Sequence, residues 1–188
     1  RIRDLDPVDM TLTIEAGVTL KAAQVAAAER NCLLPLSISS EGTAQIGGVL
    51  AVNAGGNNTV RYGNARDLVL GLEVVLPDGT IWNGLRRLRK DNTGYCLRQL
   101  FIGSEGTLGI ITAAVLKLAP APKEIAVAFC GVESPAKALD LFTRFQSHDA
   151  SALSAFELMS CLGTDFVLKH IPNAVLPLSA LTEKDRGD

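Results

Sequence analysis

The chain has 188 residues, a formal net charge of −2 at pH 7, 47% hydrophobic residues and 20% charged ones; this supports a packed core and excludes a disordered tail-like protein. Its acidic and basic residues are interspersed, which argues against nucleic acid as the main partner, because binding a phosphate backbone needs a concentrated positive field. No apolar run reaches the length of a bilayer span and no signal-peptide pattern is present, so no transmembrane segment is expected.

In chain order, Thr-Leu-Thr-Ile-Glu at 11–15 alternates and is rich in β-branched residues, which predicts a strand ending at Ala16-Gly17. Thr19 is the expected N-cap of a helix over 20–30 with Leu20, Ala23, Val25 and Ala27 on its apolar side. A short buried strand is expected over 32–38, broken by Pro35, running into the hydroxyl-rich turn 39–43.

Residues 46–63 then crowd five glycines (Gly47, Gly48, Gly55, Gly56 and Gly63) among small apolar residues and three asparagines. Glycine is costly to order, so such a run needs either special backbone angles or a close approach to something. Bare amides in a backbone nest bind phosphate without a cation, so a phosphate or pyrophosphate ligand is one reading; a tight crossing of backbone on backbone is the other. Residues 46–54 read as a short helix of small residues, its N-terminus at 42–45.

A nearly continuous apolar run, 68–76, predicts a strand buried on both faces. The Pro77-Asp78-Gly79 turn and Thr80-Ile81-Trp82 complete a hairpin. Glu73, the one acid in that run, either points to a sheet edge and water or sits where the neighbouring backbone reads a ligand. Arg86, Arg87, Arg89 and Lys90 read as a solvated basic face. After a polar turn at 90–94 and a helical turn or two over 95–101, Gly103-Ser-Glu-Gly-Thr-Leu-Gly109 leads into a strand at 110–118. A dinucleotide fingerprint would need different glycine spacing and a following helix, so a Rossmann domain is disfavoured.

Ala119-Pro120-Ala121-Pro122 reads as a linker. Beyond it come an expected strand at 124–131, an amphipathic helix at 135–145, a strand or short helix at 151–159, and a helix at 158–170 stopped by Pro172. The four cysteines (Cys32, Cys96, Cys130 and Cys161) form no C-x-x-C pair, and His148 and His170 are the only imidazoles. No metal site is therefore expected. The cysteines read as small apolar residues of a reducing compartment, taken here as the cytoplasm.

Five spaced motifs occur in order: 46–56, Arg61-Tyr-Gly63, Gly71-Leu-Glu-Val-Val-Leu-Pro-Asp-Gly79, Arg89-Lys-Asp-Asn-Thr-Gly-Tyr95 and 100–112. Together they resemble the FAD-linked oxidases with a vanillyl-alcohol-oxidase-type (PCMH-type) FAD-binding domain, in the branch of the D-2-hydroxyacid dehydrogenases: D-lactate and D-2-hydroxyglutarate dehydrogenases and the glycolate oxidase flavin subunit. The resemblance implies an α+β fold, with a partial PCMH-type FAD-binding domain at 1–120 and the beginning of an FAD-linked oxidase C-terminal cap domain at 121–188. It implies that Pro35, Leu36 and Ser37 line the flavin side. Gly42, Thr43, Gly47, Gly48, Asn53, Gly55 and Gly56 would hold the ribityl and pyrophosphate parts. Gly63 would stay small beside the cofactor, and Glu73, Val74, Ile110 and Ile111 would present backbone to the adenine end.

The implied activity is FAD-dependent oxidation of a D-2-hydroxy acid (D-lactate, D-2-hydroxyglutarate or glycolate) to the 2-oxo acid by hydride transfer to non-covalent FAD. Electrons would pass to an acceptor such as an electron-transfer flavoprotein or a quinone, and a homo-oligomer stays open. The chain begins at Arg1 and holds no first glycine loop of the family type, so it reads as a fragment with no catalytic residue of its own and weak FAD retention. The alternative is a flavin-binding subunit or remnant without chemistry; a sugar or phenol oxidase of the same superfamily is a third reading.

Overall fold

The computed structural model describes residues 1–175 and divides into two units, Arg1–Lys123 and Glu124–Asp188. In the first unit the elements run β1 (Ile2–Asp6), β2 (Thr11–Glu15), α1 (Leu20–Ala28), β3 (Cys32–Leu33), α2 (Ile46–Ala51), α3 (Thr59–Tyr62), α4 (Ala65–Leu68), β4 (Val69–Val75), β5 (Ile81–Gly84), α5 (Arg98–Phe101), β6 (Ile110–Lys117) and β7 (Ala119–Pro120). Five strands form one sheet in the order β1-β2-β6-β4-β5, and every neighbouring pair is antiparallel. The fold is α+β.

The central strands are buried on both faces: Thr11 and Thr13 of β2 are buried along with their apolar neighbours, and β4 and β6 carry runs of consecutive buried residues. In β2, Leu12 and Ile14 are fully buried and join the core with Leu72 and Val74 of β4 and Ala114 and Leu116 of β6. Helices α1 and α2 contribute Leu20, Ala23, Ala27, Ile46, Val49 and Leu50 to the same cluster. Thr19 caps α1 as expected, its Oγ1 accepting from the Ala22 N–H at 3.3 Å. Val25, expected on the apolar side, is 48% exposed; five residues from Leu20, it is turned about 140° away from that stripe. The helix stops at Ala28, short of Arg30, and Asn31 follows with φ 55°.

The hairpin of β4 and β5 and the strand after the second glycine run form as predicted. Only the first two residues of the expected 32–38 strand pair, with β7. Pro35 has no N–H to give a ladder, yet Leu34 and Leu36 are buried, so the segment is core without being sheet.

Glu73 reaches neither a sheet edge nor open water. It lies on β4, between β6 and β5, and its carboxylate accepts from Arg3 Nη2 at 3.2 Å and from Thr112 Oγ1 at 2.9 Å. Arg3 comes from β1 across two intervening strands, and its Nε also donates to Glu15 at 3.1 Å. The Arg3 guanidinium, followed by Thr112, holds the Glu73 carboxyl below its ordinary value.

The second unit contains α6 (Pro135–Asp149) and α7 (Cys161–His170) among its described residues. Ser134 caps α6 by accepting from Lys137 N–H, with proline in the first turn, and Ser160 caps α7 by accepting from Gly163 N–H at 3.1 Å. The strand expected at 124–131 and the element expected over 151–159 do not form. A strand exists only with a ladder partner, and the described residues of this unit offer no other strand; Ile125 and Val127 stand 78% and 92% exposed. Helix α7 begins at Cys161, after its serine cap, not at 158. Among the described residues no helix is long and apolar enough to cross a membrane, and no group of three or more His, Cys, Asp or Glu is placed to hold a metal ion.

Candidate functional site

Antiparallel pairing of β2 with β6 brings the end of one strand beside the beginning of the other: Glu15 pairs with Ala113. The Ala16-Gly17 turn therefore meets the start of β6, and α2 packs over both. Between them lies a cleft of about 290 Å³. One wall is Gln45, Gly47, Gly48 and Ala51 of α2 and its cap; the other is Gly106, Gly109, Ile110 and Ile111, with Ala16 and Gly17 closing the end. None of these ten residues is ionisable, so a ligand here meets backbone and small apolar surface.

The two glycines at the start of α2 differ in what holds them small. A Cβ on Gly47 would stand 2.7 Å from the Ala16 Cβ, because Gly47 N–H donates to Ala16 O at 2.9 Å and draws the helix onto the turn. A Cβ on Gly48 would meet no protein atom within 4 Å. Its side of the helix faces open space at the cleft, and among the described residues no carbonyl accepts from its N–H. Gly106 is similar: φ is +78°, and the nearest atom to its Cβ position is Ile110 Cδ1 at 3.8 Å. Glycines with free amides and room in front of them form the cradle an anionic group needs.

Of the residues expected to touch the cofactor, Gly47, Gly48, Ile110 and Ile111 line this cleft. A second group gathers elsewhere in the same unit. Gly56 presses on Ser37, where a Cβ would fall 2.0 Å from Ser37 O. Asn57 N–H donates to Ser37 O at 3.3 Å and Asn58 Nδ2 to Pro35 O at 3.0 Å, so the 35–37 segment, with Leu36 inside it, is tied to the loop that follows α2. Gly55 abuts Asn64 Oδ1, 2.9 Å from its Cβ position. Gly63, at φ +77°, lies against the Asp67 carboxylate that caps α4. At these three positions glycine serves close approach of chain to chain.

Gly42 and Thr43 sit in the 39–43 turn, with Thr43 Oγ1 donating to Ser40 O at 3.4 Å. Asn53 adopts φ 49°, and its Oδ1 accepts from Arg66 N–H at 2.9 Å. Glu73 and Val74 have their backbones paired with β5 on one side and β6 on the other. Val74 lies beneath the cleft, its Cγ1 2.7 Å from where a Gly109 Cβ would stand. Among the lining residues, Ala16, Gly17, Gln45 and Ala51 are not singled out by sequence reasoning, whereas the Gly106–Ile111 run is the expected companion wall. The signal for Gly106 and Gly109 was present in the 103–109 run; for Ala16 and Gly17 it required knowing that β2 pairs with β6. His148 lies in the last turn of α6, and His170 stacks on Phe166 at 6.1 Å, both in the second unit.

A family profile described as an FAD binding domain matches residues 1–84. Among curated proteins, a D-2-hydroxyglutarate–pyruvate transhydrogenase of Saccharomyces cerevisiae is 40% identical over 95% of this chain and 36% of its own length. The mitochondrial D-2-hydroxyglutarate dehydrogenase of Bos taurus is 46% identical over 87% of the chain and 30% of its own. A D-2-hydroxyglutarate dehydrogenase of Xanthomonas citri is 37% identical over 98% and 40%. The chain thus spans about a third of the length of the curated relatives it matches. Among solved structures, an alkyldihydroxyacetonephosphate synthase superposes with a TM-score of 0.59 at 28% identity, covering 66% of this chain and 22% of that one.

The matched segment contains the Ala16-Gly17 end and the α2 wall of the cleft, and the open space at Gly48 and Gly106 fits a phosphate-bearing cofactor held by backbone amides. With its sequence relatives and its cleft in agreement, residues 1–84 of this chain match the FAD binding domain, and FAD is the cofactor that domain implies.

Proposed function

We propose that this chain supplies the flavin-binding part of an enzyme that oxidises a D-2-hydroxy acid to the 2-oxo acid, with D-2-hydroxyglutarate as the first candidate and D-lactate and glycolate next. The observation that carries the proposal is the agreement among relatives: proteins named D-2-hydroxyglutarate dehydrogenase in cattle, rat and zebrafish are 44–46% identical over 85–88% of the chain, and a putative D-lactate dehydrogenase of Schizosaccharomyces pombe is 42% identical over 90%. FAD, when bound, supplies a two-electron acceptor for the hydride leaving the substrate α-carbon. This chain's own part is to hold the cofactor. Gly17, Gly48 and Gly106 offer amides to the pyrophosphate, Gly47 sets α2 on the turn beneath it, and Ile110 and Ile111 give apolar backing. Pro35, Leu36, Ser37, Gly42, Thr43, Asn53, Gly55, Gly56 and Gly63 would reach the cofactor outside this cleft, with Glu73 and Val74 in the sheet.

The domain assignment that goes with this reading is an FAD-binding domain over 1–120 and the beginning of a substrate-side domain over 121–188. The segment 35–37, expected beside the flavin ring, holds no histidine or cysteine, which supports non-covalent FAD. An electron-transfer flavoprotein or a quinone is the proposed acceptor, and self-association of the enzyme is left to measurement. The four free cysteines fit a reducing compartment, of which the cytoplasm is one; the mitochondrial names of the animal relatives make the matrix the alternative, and fractionation with antibody detection decides between them.

A second reading has its own support: with no ionisable residue at the cleft, the chain can hold flavin while leaving proton and substrate handling to other parts. The deciding experiment is anaerobic mixing of the flavin-loaded full-length enzyme, of which this chain is the flavin-binding part, with D-2-hydroxyglutarate, D-lactate and glycolate. Bleaching of the flavin band by at least one acid is the expected result. A protein that carries flavin but is bleached by none of them refutes the oxidation proposal and leaves flavin binding alone. Acid precipitation of the loaded protein is expected to release the yellow colour; colour kept in the pellet would contradict non-covalent attachment.

A further inference from the structure

The two walls of the cleft come from parts of the chain about sixty residues apart. Helix α2 has six residues and ends at Ala51; the facing loop carries three left-handed residues, Gly103 (φ 79°), Glu105 (φ 53°) and Gly106 (φ 78°). Glu105 pays for that conformation without being a glycine. Two backbone bonds join the walls directly: Gly103 N–H donates to Leu50 O at 3.2 Å and Glu105 N–H to Ala51 O at 2.9 Å.

Arg66, on α4, sits behind this junction and grips both sides. Its backbone N–H is taken by Asn53 Oδ1 at 2.9 Å, just past the end of α2. Its Nη1 donates to Gln99 O at 2.7 Å and to Gln99 Oε1 at 2.8 Å, and its Nη2 donates to Ile102 O. Gln99 lies in α5 and Ile102 directly follows it, so the guanidinium covers carbonyls at the C-terminal end of that helix, where a cation is favoured. Gly103 completes the fit: its Cβ position is 3.2 Å from both Arg66 Nη2 and Asn53 Cβ. All four acceptors are neutral oxygens, so the arginine acts as a planar fork of donors and not as half of an ion pair.

Resting on the flavin-binding reading above, we infer that Arg66 is a positioning residue for the cofactor cleft: it touches none of the lining residues but fixes the 103–106 loop against the end of α2 and so sets the width of the cradle. Lysine keeps the charge but supplies a point donor, which cannot span Gln99 O and Ile102 O together.

The test uses the full chain with Arg66→Lys, Arg66→Met and, as a control for general destabilisation, Leu12→Val in the core of β2. FAD affinity is read by quenching of flavin fluorescence, and local opening by hydrogen exchange of peptides covering 48–54 and 99–107. Both Arg66 variants are expected to weaken FAD at least tenfold and to speed exchange in those two peptides while exchange in β2 and β6 stays slow; Leu12→Val is expected to lower the unfolding midpoint with FAD affinity within twofold. Should Arg66→Met fail to fold, Arg66→Lys decides alone. The inference is overturned if the Arg66 variants bind FAD within twofold of the parent, if exchange at 99–107 is unchanged, or if Leu12→Val weakens FAD as much as they do. A parent chain that takes up no FAD overturns the flavin-binding reading and this inference together, whereas a parent that binds and an Arg66→Lys that binds equally well overturns only this one.

Discussion

Gly47 and Gly48 are adjacent, lie in the same short helix and are predicted to respond to alanine with opposite signs. At Gly48 the new methyl enters space with no atom of the described residues within 4 Å, so none of them opposes it. Alanine in place of a helical glycine removes backbone freedom from the unfolded chain, and the gain is about 0.5–1 kcal/mol. For a unit the size of Arg1–Lys123 that raises the unfolding midpoint by a few degrees, on the order of 2–4 °C. At Gly47 the same methyl falls 2.7 Å from the Ala16 Cβ, a contact real Cβ atoms do not make. Either the helix or the turn must give way, and overpacking of this kind costs roughly 1–3 kcal/mol, more than the entropic gain returns. Flavin binding separates the two effects further. Gly48→Ala is expected to be more heat-stable without FAD and yet to bind FAD at least tenfold more weakly, since the space it fills is the cradle. Scanning calorimetry of the cofactor-free protein and a fluorescence-quench titration with FAD measure the pair. A Gly48→Ala protein that is stabilised and binds FAD like the parent would refute the assignment of this space to the cofactor; one that is destabilised would refute the packing argument beneath it.

Further outcomes follow from the same geometry. Gly56→Ala places a carbon 2.0 Å from Ser37 O and is expected to cost about 3 kcal/mol, read from urea unfolding; a loss under ~1 kcal/mol would mean that the 35–37 segment is not clamped as described. Thr19→Ala removes the cap of α1 and should cost about 1 kcal/mol, with no change in flavin affinity. Glu73 has a folded pKa lowered below its ordinary 4.5 by Arg3 and Thr112, so its contribution is complete above the ordinary value and disappears as pH falls through the lowered one. Glu73→Gln should therefore be less stable than the parent at pH 7 and converge with it in acid; a gap that stays constant down to pH ~2 would contradict the ion pair as its source.

Much of the first unit is legible in the sequence because its signals are local. Alternation in 11–15, the Pro-Asp-Gly turn between β4 and β5, and the Thr19 cap are each decided within a few residues, and each forms as read. The second unit shows the limit of that reasoning. Residues 124–131 have a strand-like composition, but composition cannot supply the neighbouring ladder a strand requires, and the described residues of this unit contain none. Val25 fails for a different reason, since counting apolar residues along α1 ignores the angle at which each one leaves the helix.

The glycine-rich stretch is where local reading stops being able to choose. In sequence, Gly47-Gly48 and Gly55-Gly56 look like one device used twice, and both a ligand nest and a backbone crossing account for either pair. In the fold the pairs divide by a non-local criterion. Gly56 is small because Ser37 O occupies the place of its side chain, and Gly47 because Ala16 does. Gly48 is small with none of the described residues in front of it. The reason for the last lies in β2 pairing with β6, which sets the 16–17 turn, α2 and the 106–110 segment around one cleft. Packing therefore requires the glycine in the first two cases, while in the third the described residues leave room at the cleft where the cofactor is proposed to sit, and that difference is why Gly48, and not the most crowded glycine, is the residue on which the flavin assignment is most sharply tested.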